Sequence, residues 1–188
     1  MASAQVRLPK FISDGMILQR DTPLKIWGWA KPGEKVTVRF KNKTYKATTP
    51  SDGKWQVTLP ALPAGGPFQM EIAGSNRISI QDILLGDVWF CSGQSNMVHQ
   101  LNIHDVTYAE EIRTANYPQI RQFWVPTLSN LQSPQAELPQ GQWKAAVGED
   151  VRPFSAVAYF SQKRCINGIK SPSASSTPAW VAHPSKPG

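Results

Sequence analysis

Between residues 24 and 85, apolar and polar positions alternate in short runs separated by turn signals. Val36, Val38 and Phe40 interleave with Lys35, Thr37 and Arg39, the period of a strand with one buried face. Beyond a Lys41-Asn42-Lys43 turn, Tyr45, Ala47 and Thr49 continue the alternation. Asp52-Gly53 is a hairpin signal ahead of Trp55, Val57 and Leu59. An earlier run holds Leu24, Ile26 and Trp27-Gly28-Trp29 and stops at Lys31-Pro32-Gly33. Phe68, Met70 and Ile72, then Ile78, Ile80 and Ile83, complete six short strands. That spacing predicts an all-β sandwich over residues 1–84.

Near residue 85 the pattern changes. Asp87-Val88-Trp89-Phe90-Cys91 is almost continuously apolar, the form expected of a strand buried on both faces of a parallel sheet. A polar turn follows, Ser92-Gly93-Gln94-Ser95-Asn96-Met97. Ala109, Ile112 and Ala115 have helical spacing and are closed by Asn116-Tyr117-Pro118. Residues 120–125 read as a second strand, and 128–148 as loop with Trp143 as its anchor. Pro153 suits the first turn of another helix carrying Phe154, Val157, Ala158 and Phe160. Strand, turn, helix, strand, loop and helix make the opening of a three-layer α/β domain. Over residues 85–160 that domain is incomplete.

Composition narrows the function classes. With 40% hydrophobic and 10% aromatic residues, the 188-residue chain carries enough apolar material for a core. No apolar run reaches the ~20 residues of a membrane span. The 20 Lys and Arg exceed the 13 Asp and Glu, a net charge of +7. Four of those bases (Lys163, Arg164, Lys170, Lys186) lie in residues 161–188, which hold no acid, so the first 160 residues carry only +3. The remaining bases are dispersed, which argues against a nucleic-acid partner. Cys91 and Cys165 form no disulfide framework, and no His/Cys spacing marks a metal site. Ala2-Ser3-Ala4 before Gln5 has the small-x-small form of a signal-peptidase site, the mark of a periplasmic or extracellular protein whose signal peptide is truncated. Nothing in the chain specifies an oligomeric state.

A buried strand running directly into Gly-x-Ser is where α/β hydrolases hold a nucleophile, since the tight turn exposes the hydroxyl at the carboxyl end of the strand. Backbone N–H groups after Ser95 then face a developing oxyanion. Gly93 allows close backbone approach, and Gln94 and Asn96 supply hydrogen bonds that stiffen the turn. A helix N-cap is the competing role for such a serine. Candidate bases nearby are weak. His99 follows Ser95 by four residues, His104 sits beside Asp105, and His183 has no motif around it.

Residues 83–89 together with Cys91-Ser92-Gly93-Gln94-Ser95-Asn96-Met97 resemble the first catalytic block of bacterial sialate O-acetylesterases, of the SGNH hydrolase superfamily. Residues 12–21, Ile26-Trp27-Gly28-Trp29-Ala30, Asp52-Gly53-Lys54-Trp55 and residues 154–160 resemble further signatures of that family. The resemblance covers about residues 5–160. It implies a β-sandwich joined to a flavodoxin-like α/β hydrolase, with Ser95 as nucleophile and its own N–H as an oxyanion donor. It also implies a distant His base, absent here, and no metal or organic cofactor. The expected substrate is an O-acetylated sugar, with sialic acid and an acetylated xylan-type glycan both open, and neither nucleic acid nor membrane is a partner. Without the base the chain is expected to be inactive. The alternatives are a non-catalytic sugar-binding β-module with an α/β remnant, and an anion-binding protein driven by its basic tail.

Residues 161–188 hold four Pro and six Ser and show neither period, a disorder-like composition. The helix from Pro153 is therefore expected to stop at Phe160. Reading back one base within the Phe160 codon, synonymous codons encode FAKALYQRYKVPIGIINASVGGTPIEAW. That peptide opens as a helix and continues through an apolar run into the Asn-x-Ser-x-Gly-Gly block of the resembled family. The tail reads as a frameshift product.

Overall fold

The computed structural model describes residues 5–93, 95–125, 137–138 and 140–166, with residues 167–168 and 179–183 described by their backbone. Seven strands build the first part: β1 (Ile17–Gln19), β2 (Leu24–Trp29), β3 (Lys35–Phe40), β4 (Lys43–Thr48), β5 (Lys54–Leu59), β6 (Gly65–Ala73) and β7 (Arg77–Gly86). One sheet has the order β1-β7-β6-β3-β4, and β2 pairs antiparallel with β5 in a second. Alternation decides what faces inward. Val36, Val38 and Phe40 of β3, Met70 and Ile72 of β6, and Ile26, Trp55, Val57 and Leu59 of the smaller sheet share a single core. Gly28 sits where a Cβ would meet the Arg7 carbonyl oxygen at 2.3 Å, so only glycine lets the amino-terminal segment pair with Trp29.

The second part holds β8 (Val88–Ser92), α1 (Ser95–Val98), α2 (Asp105–Thr114), β9 (Asn116–Trp124), β10 (Trp143–Val147), α3 (Ala156–Gly168) and β11 (Ala179–His183). Its sheet has the order β10-β9-β11-β8, in which β11 runs parallel to both neighbours and β10 antiparallel to β9. Leu101, Ile112, Ile120, Val151, Phe154 and Tyr159 form its core.

Four features depart from the sequence reading. β8 is an edge strand, and Trp89 and Phe90 are 50% and 68% exposed, so this apolar run is not buried on both faces. β10 occupies part of the segment read as loop. α3 begins at Ala156 rather than Pro153, because Ser155 caps it, its Oγ accepting the Ala158 N–H at 3.3 Å. The helix then continues past Phe160 to Gly168, and a strand is laid at Ala179–His183 in the Ser/Pro-rich segment. The slot between β8 and β9 asks chiefly for backbone partners, and a short run free of proline supplies them.

A bulge joins the two parts. Met70 pairs with Ile80 and Phe68 with Ile83, so β7 carries one residue more than β6 at Gln81-Asp82, where Asp82 has φ +57°. The bulge presents Asp82 to Arg121 of β9. Arg121 Nη1 donates to the Asp82 carbonyl at 2.6 Å and to the Gly15 carbonyl at 2.8 Å, while Nη2 donates to Asp82 Oδ1 at 2.9 Å. Trp143 Nε1 adds a bond to the Phe11 carbonyl at 2.8 Å.

Between α2 and α3, burial works against ionisation of Glu111, but hydrogen bonds from Lys163 and Tyr159 and the Lys163 charge outweigh it and hold the carboxyl below its usual range. Gln162, next to Lys163, is fully buried, and among the described residues neither of its amide atoms has a hydrogen-bond partner.

Arg121→Ala removes four charge-assisted bonds: those to Gly15 and to Asp82 in the first part, and one from Nε to the Pro118 carbonyl at 3.1 Å in the second. It should cost about 3 kcal/mol, read from the urea midpoint. Gln162→Leu, by contrast, should stabilise the chain by about 1–2 kcal/mol in the same measurement, since it deletes an unmet amide at similar volume.

Candidate active site

β8 ends at Ser92 and Ser95 opens α1 three residues later, which sets Ser95, itself exposed, just past the carboxyl end of a sheet strand. Gly93 bridges them, and a Cβ there would come 3.3 Å from Met97 Cβ. Asn96 is exposed on α1, and Gln94 lies outside the described residues. The turn is tied to the start of α3. Ser155 Oγ donates to the Met97 carbonyl at 2.6 Å, the Ala156 N–H donates to the His99 carbonyl at 2.8 Å, and Gln100 bridges to Ser155. Ser155 N–H in turn donates to Gln122 Oε1 of β9 at 3.0 Å. Ser155 thereby connects the turn holding Ser95, α3 and the sheet, a role that nothing in its local sequence reveals.

The local histidines gather with one another. His99 and His104 stack with ring centroids 4.6 Å apart, and His104 packs edge-on to Tyr108. Asp105 is bound by Arg152, so its carboxylate serves the arginine rather than orienting His104. No hydrogen bond joins Ser95 to an imidazole among the described residues. The β11 backbone sets His183 in register with Ser92. Burial pushes the Cys91 thiol up to about 12, which keeps it protonated and removes it as a rival nucleophile near neutral pH. Among the described residues no group of three or more His, Cys, Asp or Glu is placed to hold a metal ion, and no helix is long and apolar enough to cross a membrane.

Comparison with known proteins places this geometry in a family. A sialate O-acetylesterase from Pongo abelii is 27% identical over 197 residues, spanning 95% of this chain and 38% of that protein. One from Mus musculus is 33% identical over 139 residues, covering 66% of this chain and 25% of its own length. A crystal structure of a carbohydrate acetylesterase from Xanthomonas citri superposes with a TM-score of 0.88 at 35% identity, covering 96% of this chain and 40% of that one. This chain belongs to the sialate O-acetylesterase family. No family model matches it. Its mostly-β fold is that of the carbohydrate acetylesterase, and it spans well under half the length of these sialate O-acetylesterases.

Both indoles of β2 are engaged by cations within the fold. Lys54 Nζ lies 4.1 Å over the Trp27 ring and the Arg7 guanidinium 4.3 Å over Trp29, so a cation occupies a face of each indole.

Ser155→Ala should free the turn from α3. Loss of the cap and of the bond to Met97 is expected to cost about 1–2 kcal/mol and to speed amide exchange through residues 95–101 relative to β3 and β6. Unchanged exchange there would show that the tie is not what holds the turn.

Proposed function

We propose that the intact protein removes O-acetyl groups from a sugar or glycan through an acyl-enzyme formed on Ser95. The observation that carries this reading is the position of Ser95, exposed at a helix start just beyond the carboxyl end of β8, in a chain whose fold superposes on a carbohydrate acetylesterase. In this reading Ser95 Oγ attacks the acetyl carbonyl and its own N–H receives the oxyanion. The sugar alcohol leaves, and water then releases acetate. Gly93, Gln94 and Asn96 shape the turn. Residues 85–160 are the opening of the SGNH-type α/β domain, and the catalytic base belongs to a part of the protein beyond these motifs. The chemistry needs neither a metal nor an organic cofactor, and the intact enzyme acts in the periplasm or outside the cell.

The tail is best understood as out of frame. The alternative frame supports this at two positions of α3: it places Ala where the buried, unpaired Gln162 stands, and it keeps Lys where Lys163 pairs with Glu111. As given, the chain therefore lacks its base and further oxyanion donors.

The purified 188-residue chain should hydrolyse an aryl acetate at least 10² more slowly than a full-length relative. Any residual turnover above buffer should vanish in Ser95→Ala. Rapid turnover would overturn the missing base, and turnover unaffected by Ser95→Ala would overturn the nucleophile.

A further inference from the structure

A cavity of about 470 Å³ opens beside the ends of β9 and β10, lined in part by Gln100, Gln122, Trp124, Gln142, Lys144 and Phe154. Its size falls within the roughly 300–1,000 Å³ of small-ligand sites. β8 and β9 both run parallel to β11, so Trp124, which closes β9, and Ser95, which follows β8, emerge at the same edge of the sheet. That edge is where open α/β sheets bind ligands.

The lining defines the ligand's chemistry. Trp124 supplies an aromatic ring, and Phe154 and Gly141 add apolar surface. Gly141 is fixed there by the Phe123 ring, which a Cβ would meet at 2.3 Å. The polar groups are carboxamides, which both donate to and accept from hydroxyls. Gln122 is only 4% exposed, and its Oε1 is anchored on the Ser155 N–H, so it holds a fixed orientation. Among the described lining residues Lys144 alone is charged, and its ammonium is matched by Asp150 at 3.0 Å. A wall of amides and two aromatic side chains, with Lys144 compensated, suits a neutral polyhydroxylated ring far better than a carboxylate. Among the described lining residues there is no arginine fork to receive an acid.

We propose that this cavity is a subsite for a neutral pyranose unit of the glycan, with Trp124 as stacking platform and Gln122 and Gln142 as hydroxyl readers, and that it disfavours anionic sugars such as sialic acid. Its place in catalysis rests on the esterase reading of Ser95, but binding can be measured without turnover. The 188-residue chain, labelled with ¹⁵N, is titrated with xylotetraose, mannotriose and galactotriose, and separately with N-acetylneuraminic acid. At least one neutral oligosaccharide should bind and shift the Trp124 indole N–H, assigned with Trp124→Phe. Affinity should fall at least tenfold in Trp124→Ala and be largely kept in Trp124→Phe and in Ser95→Ala. N-acetylneuraminic acid should bind at least tenfold more weakly than the best neutral sugar. Absence of any neutral binding, binding without a Trp124 shift, or equal or tighter binding of N-acetylneuraminic acid would overturn the subsite. Because Ser95→Ala is expected to bind normally, failure of the esterase reading leaves these readouts intact, and the two ideas fall separately.

Discussion

The relation between the two parts of the molecule depends on one buried guanidinium. Arg121 lies on a central region of β9, yet all its bonds to the other part end on backbone or carboxylate oxygens of residues 15 and 82. A planar fork with five donors can do this, and an ammonium cannot match it. The acceptors exist only because β7 bulges at Gln81-Asp82 and turns a carbonyl out of the ladder. Without the bulge that carbonyl would be spent on β6. Without the arginine it would lose this partner. The position of β9, and so of every residue carried on its carboxyl end, follows from this pairing.

A second set of constraints runs from Ser155. Its hydroxyl and amide bind three elements that are distant in sequence, so the loop after Ser95 is fixed by residues some sixty positions later. The turn holding Ser95 is short and exposed, and it has little apolar surface of its own to fix it. Its order comes from backbone bonds between residues 99–102 and 152–156, and from the Ser155 hydroxyl on the Met97 carbonyl. In the esterase reading proposed above, preorganisation of this kind is what Ser95 needs, since misplacement by an ångström is costly.

What could be read from the chain follows from how local each signal is. The strands β2 to β7 were legible because most of them, β3 and β5 above all, bury one face and expose the other, so burial is written as alternation. β8 was misread because apolar content tells of a strand but not of its neighbours, and Trp89 and Phe90 lie on an edge. β10 and the true start of α3 were hidden because Trp143 and Ser155 take their roles from distant partners. The location of Ser95 was legible from strand and turn. The cavity beside Trp124 was not, because its walls come from four separated stretches whose glutamines carry no local signal.

The parallel placement of β11 also bears on how the chain is made. β8 and β9 touch through β11 rather than through each other, and β11 lies more than fifty residues beyond the end of β9. A ribosome delivers all seven strands of the first part, with most of their core, well before residue 179 exists. The second sheet must wait with a gap between two of its strands. During that interval its unpaired edges are open to any extended segment, its own or another chain's, and the time for which they stay open is set by translation rather than by folding.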